Sequence, residues 1–351
     1  MSETMELGET VIGGTNSVYV IAEMSANHCG SKSKAKEIIH AAAESGADCI
    51  KIQTYTPDTQ TIDSDKEYFK IEEGLWEGSN LYELYEKAYT PWEWQAELKE
   101  EAEEVGIDFF STAYEETAVD FLEDLGVEFY KVASFGVTHI PFLEYLAEQG
   151  KPIIMSTGMA TLGEIEEAVK TIKLTGNDQL ALLKCSSAYP AVPEDMNLKT
   201  MNHLQETFGV PVGLSDHTLG STTAIAAVAR GASIVEKHFC LDRNDDSLDS
   251  DFSLEPDEFS DMVEDIRVTE KAVGEISYEI SEREEQSRKF RRSIFAVKDI
   301  EKGEEFTEEN IRVIRPEEGL KPKYYGEVVG KVASKDIEKD EPIRWYSIDV
   351  I

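Results

Sequence analysis

Eight short apolar runs frame this chain, each followed by a segment with helical spacing. They are VYVIAE (18–23), DCIKIQT (48–54), DFFSTA (108–113), EFYKVAS (128–134), PIIMST (152–157), LALLKCS (180–186), VPVGLSD (210–216) and SIVEKHF (233–239). The runs are apolar nearly throughout instead of alternating, as a parallel strand covered on both faces requires. Between them lie amphipathic stretches such as KAKEIIHAAAESG, WEWQAELKEEAEEVG and LGEIEEAVKTIKLTG. Most end in Gly, the residue expected just past a helix C-terminus. Eight strand–helix repeats predict an α/β fold, a (β/α)8 TIM barrel. A doubly wound open sheet is the other arrangement this alternation allows, because periodicity alone does not close a sheet.

The repeat pattern ends near residue 275. A charged stretch, SEREEQSRKFRRS, reads as a linker over 276–290, and residues 291–351 read as a small β-rich domain. Within that domain VKDIEKGE and SKDIEKDE repeat one core, a short internal duplication. One long insertion, 55–91, follows the second strand. Its aromatic residues either line a ligand site, as inserts at a barrel mouth often do, or pack the insert onto the barrel.

Composition narrows the function. The 351 residues carry 71 acidic against 34 basic groups, a net charge of −37. Such a chain repels a duplex, so no nucleic-acid partner is expected. The acids are spread along many segments, which reads as a solvated acidic surface or as adaptation to high salt, where screening relieves self-repulsion. No stretch approaches the ~20 apolar residues of a membrane span, and MSETMELGET lacks a basic-plus-apolar leader. A cytoplasmic protein with no membrane partner is expected. Cys29, Cys49, Cys185 and Cys240 lie far apart with no Cys-x-x-Cys pair, as expected of free thiols. No dinucleotide or Walker fingerprint is present, and no Gly-x-Ser-x-Gly elbow.

In a barrel, the C-terminal strand ends converge on the active site. Those ends carry Glu23, Lys51 with Gln53, Thr112, Lys131 with Ser134, Ser156, Lys184 with Ser187, Ser215 with His217, and Glu236 with His238. Alternation puts Lys51 and Gln53 on one face, and likewise Glu236 and His238. His217 and His238 end successive strands, ~4.8 Å apart, so their imidazoles could clasp one divalent metal. Lys51, Lys131, Lys184 and Lys237 recur at strand ends in an otherwise acidic chain. They point to anion binding, to ion pairing with neighbouring carboxylates, or to Schiff-base chemistry. The hydroxyls of Ser134, Ser156, Ser187 and Ser215 suit a phosphate. His28 is ambiguous.

Taken together and in order, IAEMSANH, KIQTYTPDT, YELYEKAYTPWEW, YKVAS, STGMA, KCSSAYPA, GLSDHT, EKHFCLDR, DSDFSLEP, RRSIFAVKDI and IRP make the chain resemble the sialic acid synthase family, from about residue 10 to the C-terminus. The resemblance implies a (β/α)8 barrel followed by an antifreeze-like (SAF) domain, in a domain-swapped homodimer. It implies condensation of phosphoenolpyruvate with an N-acetylated sugar, with a divalent metal (Mn2+ first, Mg2+ or Co2+ otherwise) held by His217 and His238. It assigns phosphoenolpyruvate to Lys51, Thr112, Lys131, Ser134, Ser156 and Ser215. It assigns acid/base work to Glu23, and sugar contacts to Gln53, Ser187, Tyr189, Asp249 and Arg315, the last reaching across the dimer. AEMSANH and CSSAYP look like the pseudaminic branch, whose sugar is 2,4-diacetamido-2,4,6-trideoxy-L-altropyranose. Neuraminate synthases more often read AEIGxNH, with Asn at position 187. An N-acetylmannosamine-type or legionaminate precursor stands behind that expectation. Outside this class stand a Schiff-base aldolase and a non-catalytic sugar-binding protein. Two positions depart from the family pattern: Cys29 stands where Asn is usual, and Gly136 where an acid is common.

Overall fold

The apolar runs become eight parallel strands that close on themselves. The computed structural model describes residues 4–245 and 247–349. An antiparallel hairpin comes first, β1 (Thr4–Leu7) and β2 (Thr10–Gly13). The barrel strands follow: β3 (Tyr19–Glu23), β4 (Cys49–Thr54), β5 (Asp108–Ala113), β6 (Tyr130–Val132), β7 (Ile153–Ser156), β8 (Leu180–Cys185), β9 (Val212–Asp216) and β10 (Ile234–His238). They pair in sequence order, and β10 pairs with both β9 and β3, so the sheet closes. That closure decides against the open doubly wound sheet.

Alternation splits every strand between two cores. Val20, Ile50, Val132, Met155, Leu182, Leu214 and their neighbours face the surrounding helices. The inward positions differ along their length. Near the N-terminal ends they are apolar: Tyr19, Ile21, Cys49, Phe110, Phe129, Ile154, Leu183 and Ile234 form one buried cluster with Met5, Leu7 and Ile12 of the hairpin. The hairpin therefore plugs the bottom of the barrel, a role the sequence pattern does not announce. Two residues further along the same strands the inward side chains turn polar, and there the site begins.

Local signals set the helix ends. Thr161 and Glu164 form a reciprocal capping box, and Gly106 ends its helix at φ 81°, a conformation that penalises any Cβ. Gly213 is required for another reason: a Cβ there would lie 2.3 Å from the Ile234 carbonyl and 2.8 Å from Leu183, so β8, β9 and β10 could not approach.

The chain divides into two units, Met1–Gly274 and Glu275–Ile351. The stretch read as a linker holds a short helix, Glu282–Arg288, capped by Ser281. In the second unit β11 (Ser293–Ala296) pairs antiparallel with β12 (Ile311–Ile314) over a core that includes Ile294, Ile300, Phe306, Ile311, Ile337 and Ile343. The duplicated segments meet each other. Ile300 and Ile337 exchange backbone hydrogen bonds, both 2.9 Å. Lys302 N donates to Asp336 Oδ1 and Lys339 N to Asp299 Oδ1, both 2.8 Å. Equivalent residues thus serve one another, and the repeat in the sequence becomes a local two-fold in the structure.

Candidate active site

Inward alternation brings Glu23, Lys51, Thr112, Lys131, Ser156, Cys185, Ser215 and Glu236 to one small polar floor of about 80 Å³ at the C-terminal mouth. Every one of these side chains is buried. Lys51 Nζ lies 2.5 Å from Glu23 Oε2 and 3.8 Å from Glu236 Oε1, and donates to Thr112 Oγ1 at 3.0 Å. Lys131 Nζ donates to Ser156 Oγ at 2.7 Å and lies 3.9 Å from Glu236 Oε2. Ser215 Oγ donates to Glu236 Oε1 at 3.1 Å. Ser134 borders the same floor, and its Oγ accepts from Gly158 N at 3.0 Å. Two carboxylates and two ammoniums, ringed by hydroxyls, form a site that can exchange ion pairs for a bound anion.

The environments of the charged groups differ. Burial raises the Glu23 carboxyl above the usual range; Lys51 opposes this and Glu236 adds to it. Burial also works against ionisation of Glu236, but the ammoniums of Lys131 and Lys51 outweigh it and hold that carboxyl low. Burial depresses Lys131. At Lys51 burial is overcome by Glu23 and Glu236, which raise it. A pair of carboxyls pushed in opposite directions is the pattern that lets one hold a proton while the other stays charged.

His217 and His238 stand above the floor, their rings edge to face with centroids 5.3 Å apart. His217 Nδ1 donates to the Ser186 carbonyl at 2.8 Å, which leaves its other ring nitrogen for a ligand. His238 Nδ1 is buried without a hydrogen-bond partner. This unspent donor pair fits a divalent ion. Among the described residues no group of three or more His, Cys, Asp and Glu gathers as a metal cluster. Protein ligands would therefore be few, and water or substrate would complete the shell.

Most of the residues expected on the sugar side lie around the same mouth. Gln53 Nε2 donates to Glu23 Oε1 and to Ser25 Oγ, both at 2.9 Å, and Ser25 Oγ donates to Asp249 Oδ2 at 2.5 Å. Tyr114 OH donates to Gln53 Oε1 at 3.0 Å. The Tyr189 ring lies 4.4 Å from that of His217. Ser187 stands beside the floor, close enough to Gly158 that a Cβ there would fall 2.4 Å from its Oγ. Arg315 is exposed and belongs to the second unit, just after β12. Gly136 borders a neighbouring small cavity with His139 and Phe142, which shares Tyr114, Ala133 and Phe135 with the floor.

Alternation removes two of the four strand-end lysines. Lys237 points out of the barrel and pairs with Asp216 at 2.9 Å, both fully buried. Asp216 Oδ1 in turn accepts from Thr218 N at 2.9 Å and Thr218 Oγ1 at 2.8 Å, so this outer pair braces the loop that carries His217. Lys184 also lies between inward positions and donates to the Cys185 carbonyl at 2.6 Å. His28 is structural: it is buried, accepts from Gly30 N at 3.0 Å, lies 3.3 Å from Thr90 Oγ1, and burial lowers its pKa to about 4. Sequence reasoning left Glu236 without a role, although its shared face with His238 was the signal that could have placed it in the floor. Cys185 carried no signal. Burial opposes its ionisation, but the neighbouring His217 outweighs this and draws the thiol down to about 7.

Above the floor the mouth widens into a chamber of about 420 Å³. Gln53, Tyr114, Tyr189, His238 and Asp249 form its lower wall, and Tyr55, Trp76, Leu84 and Tyr85 of the insertion form its upper wall. Aromatic residues of the insertion line this cavity, and Trp76 Nε1 also ties the insertion to the barrel side by donating to the Leu248 carbonyl at 3.1 Å.

A closed (β/α)8 barrel with a carboxylate–lysine floor at its C-terminal mouth has the layout of a barrel enzyme that handles a small anion. The chain belongs to the NeuB family, whose sequence profile matches residues 38–278, and the profile of the SAF domain matches 291–348. It is 48% identical over 327 residues to a pseudaminic acid synthase of Campylobacter jejuni subsp. jejuni serotype O:23/36 (strain 81-176), covering 93% of this chain and 95% of that one. It is 45% identical over 325 residues to the pseudaminic acid synthase of Helicobacter pylori (strain ATCC 700392 / 26695), covering 92% and 96%. The crystal structure of N-acetylneuraminic acid (sialic acid) synthetase from Leptospira borgpetersenii serovar Hardjo-bovis, in complex with citrate, superposes with a TM-score of 0.74 at 33% identity, covering 82% of this chain and 95% of that one.

Proposed function

We propose that this protein condenses phosphoenolpyruvate with 2,4-diacetamido-2,4,6-trideoxy-L-altropyranose, giving pseudaminate and phosphate. The observation that carries the reading is the buried assembly of Glu23, Lys51, Glu236 and Lys131 beneath the paired histidines. Similarity to two pseudaminic acid synthases supports the choice of sugar. Among the described residues no helix is long and apolar enough to cross a membrane. In this reading the enzyme works in the cytoplasm, where phosphoenolpyruvate is made.

Lys51 and Lys131 bind the carboxylate and phosphate of phosphoenolpyruvate, with donors from Thr112, Ser134, Ser156 and Ser215. Glu236 keeps its charge and holds both lysines in place. C3 of phosphoenolpyruvate forms the new bond to the sugar aldehyde carbon, whose oxygen becomes a hydroxyl by taking the proton that water gives up as it adds at C2. The C2–O bond to phosphate then breaks as the C2 hydroxyl becomes the ketone, its proton leaving with phosphate. Glu23, its carboxyl raised by burial, moves the proton of that water at Oε2. Gln53, Ser187, Tyr189 and Asp249 orient the sugar. His217 and His238 would hold a divalent ion, manganese before magnesium or cobalt, which when bound polarises the aldehyde. Arg315 is assigned to the sugar acetamido group in the site of a second copy of the chain. Mixing inactive Glu23→Gln and Arg315→Ala proteins tests that assignment: activity returns if copies share a site, and stays absent if they do not.

The decisive assay is phosphate release with three sugars, the altropyranose, N-acetylmannosamine and the legionaminate precursor. The altropyranose is expected to have the highest kcat/KM, and turnover is expected only with sugar, phosphoenolpyruvate and metal together. Full activity in EDTA would remove the metal role, and a better rate with another sugar would replace the substrate.

A further inference from the structure

The chamber above the floor has an upper wall with no counterpart in the reaction chemistry. Ile71, Leu81 and Leu84 from the insertion line it, beside Trp76, Tyr55 and Tyr85. Leu84 is buried and Ile71, Trp76 and Leu81 are half-buried. The Trp76 indole N–H is already spent on Leu248, and its ring stands 5.6 Å from that of Tyr189. The rings of Tyr55 and Tyr85 meet edge to face at 5.7 Å. Gln60 contributes the one side-chain amide of the insertion to this cavity. The wall therefore offers large apolar contact and few hydrogen bonds.

The reaction fixes which end of a sugar meets it. The aldehyde carbon must lie at the floor, beside the histidines and Lys51, so the distal carbons of the open chain extend into the chamber. We propose that residues 55–91 are the specificity-determining wall, receiving the C6 methyl and the C4 acetyl methyl of a 6-deoxy diacetamido sugar and disfavouring sugars that carry hydroxyls there. This rests on the proposed function and adds to it the part of the molecule that selects the sugar. Away from the Gln60 amide and the Tyr55 and Tyr85 hydroxyls, a sugar hydroxyl set against Ile71, Leu81 or Leu84 loses water without gaining a partner. Apolar contacts of this kind discriminate by about 10- to 10²-fold.

Ile71→Asn and Leu81→Asn place an amide on the wall without touching any group assigned to chemistry. The measurement is kcat/KM for 2,4-diacetamido-2,4,6-trideoxy-L-altropyranose and for N-acetylmannosamine, with KM for phosphoenolpyruvate as the control. The ratio of the two sugars is expected to fall about 10-fold or more, with KM for phosphoenolpyruvate within about twofold. Ile71→Leu and Leu81→Met are expected to keep the wild-type ratio. Should an asparagine variant fail to fold by circular dichroism, Ile71→Thr is read in the same way. A ratio unchanged within about twofold in the folded polar variants overturns the proposal. The wild-type protein separates the two claims. If it uses the altropyranose while the variants keep its ratio, only the wall fails. If it turns over N-acetylmannosamine alone, the reading of the substrate fails as well.

Discussion

The floor and the chamber share one barrel mouth but are built by different parts of the chain. The floor is about 80 Å³, comes from strand ends and consists of buried charges in contact. The chamber is about 420 Å³, is walled on top by an insertion and is mostly apolar there. Strand ends are held by the sheet on both sides, which suits groups that must stay in register for chemistry. An insertion hangs from two points and can change its wall without moving the sheet. Under the proposed function the difference separates reaction from selection: the floor would carry what every substrate of this reaction shares, and the chamber what distinguishes one sugar from another.

Breaking the floor should have the largest effects. His217→Ala, or removal of divalent metal with EDTA, should bring phosphate release close to zero with every sugar tested. Lys131→Ala should lower kcat/KM for phosphoenolpyruvate about 10³-fold, the scale of losing a buried charge that stabilises the transition state. Phosphate release under single-turnover conditions measures both. An undiminished rate in the Lys131 variant would show that the floor does not hold the reacting anion, and one after loss of His217 or metal would remove the metal role.

The outer pair sharpens the contrast, because it is just as buried and yet faces away from the mouth. Lys237→Met should cost about 3–5 kcal/mol of stability by leaving Asp216 unpaired, while Lys237→Met with Asp216→Leu should recover much of it. Urea unfolding of the single and double variants reads this directly. Equal losses in the two would mean that packing, not charge pairing, matters there.

The smallest effect belongs to His28, which lies outside the floor and meets Thr90 at the end of the insertion. Its folded pKa is about 4, against an ordinary 6.5, because burial disfavours the imidazolium. The unfolded chain therefore takes up the proton first. Stability from this group is complete above about pH 6.5 and falls by about 1.4 kcal/mol per pH unit as the pH drops toward 4. His28→Gln should flatten the melting temperature between these limits. A wild-type slope retained in the variant would assign that pH dependence to other groups.

Much of this was legible without coordinates. Continuous apolar runs alternating with amphipathic segments determine parallel strands and helices, since a strand covered on both faces has no other composition available. The strand-end residue types also identify the candidates for chemistry, and the ordered motifs their class. What the sequence alone could not decide is which way a side chain faces once the sheet closes. Lys51 and Lys237 look alike as strand-end lysines, yet one enters the floor beside Glu23 and the other leaves the barrel for Asp216. Closure also turned the unremarked β1–β2 segment into a plug, because Met5, Leu7 and Ile12 find apolar neighbours only after distant strands meet. It likewise brought Trp76 and Tyr189 to one chamber. Local pattern reports the burial each residue needs; only the closed barrel determines which residues supply it.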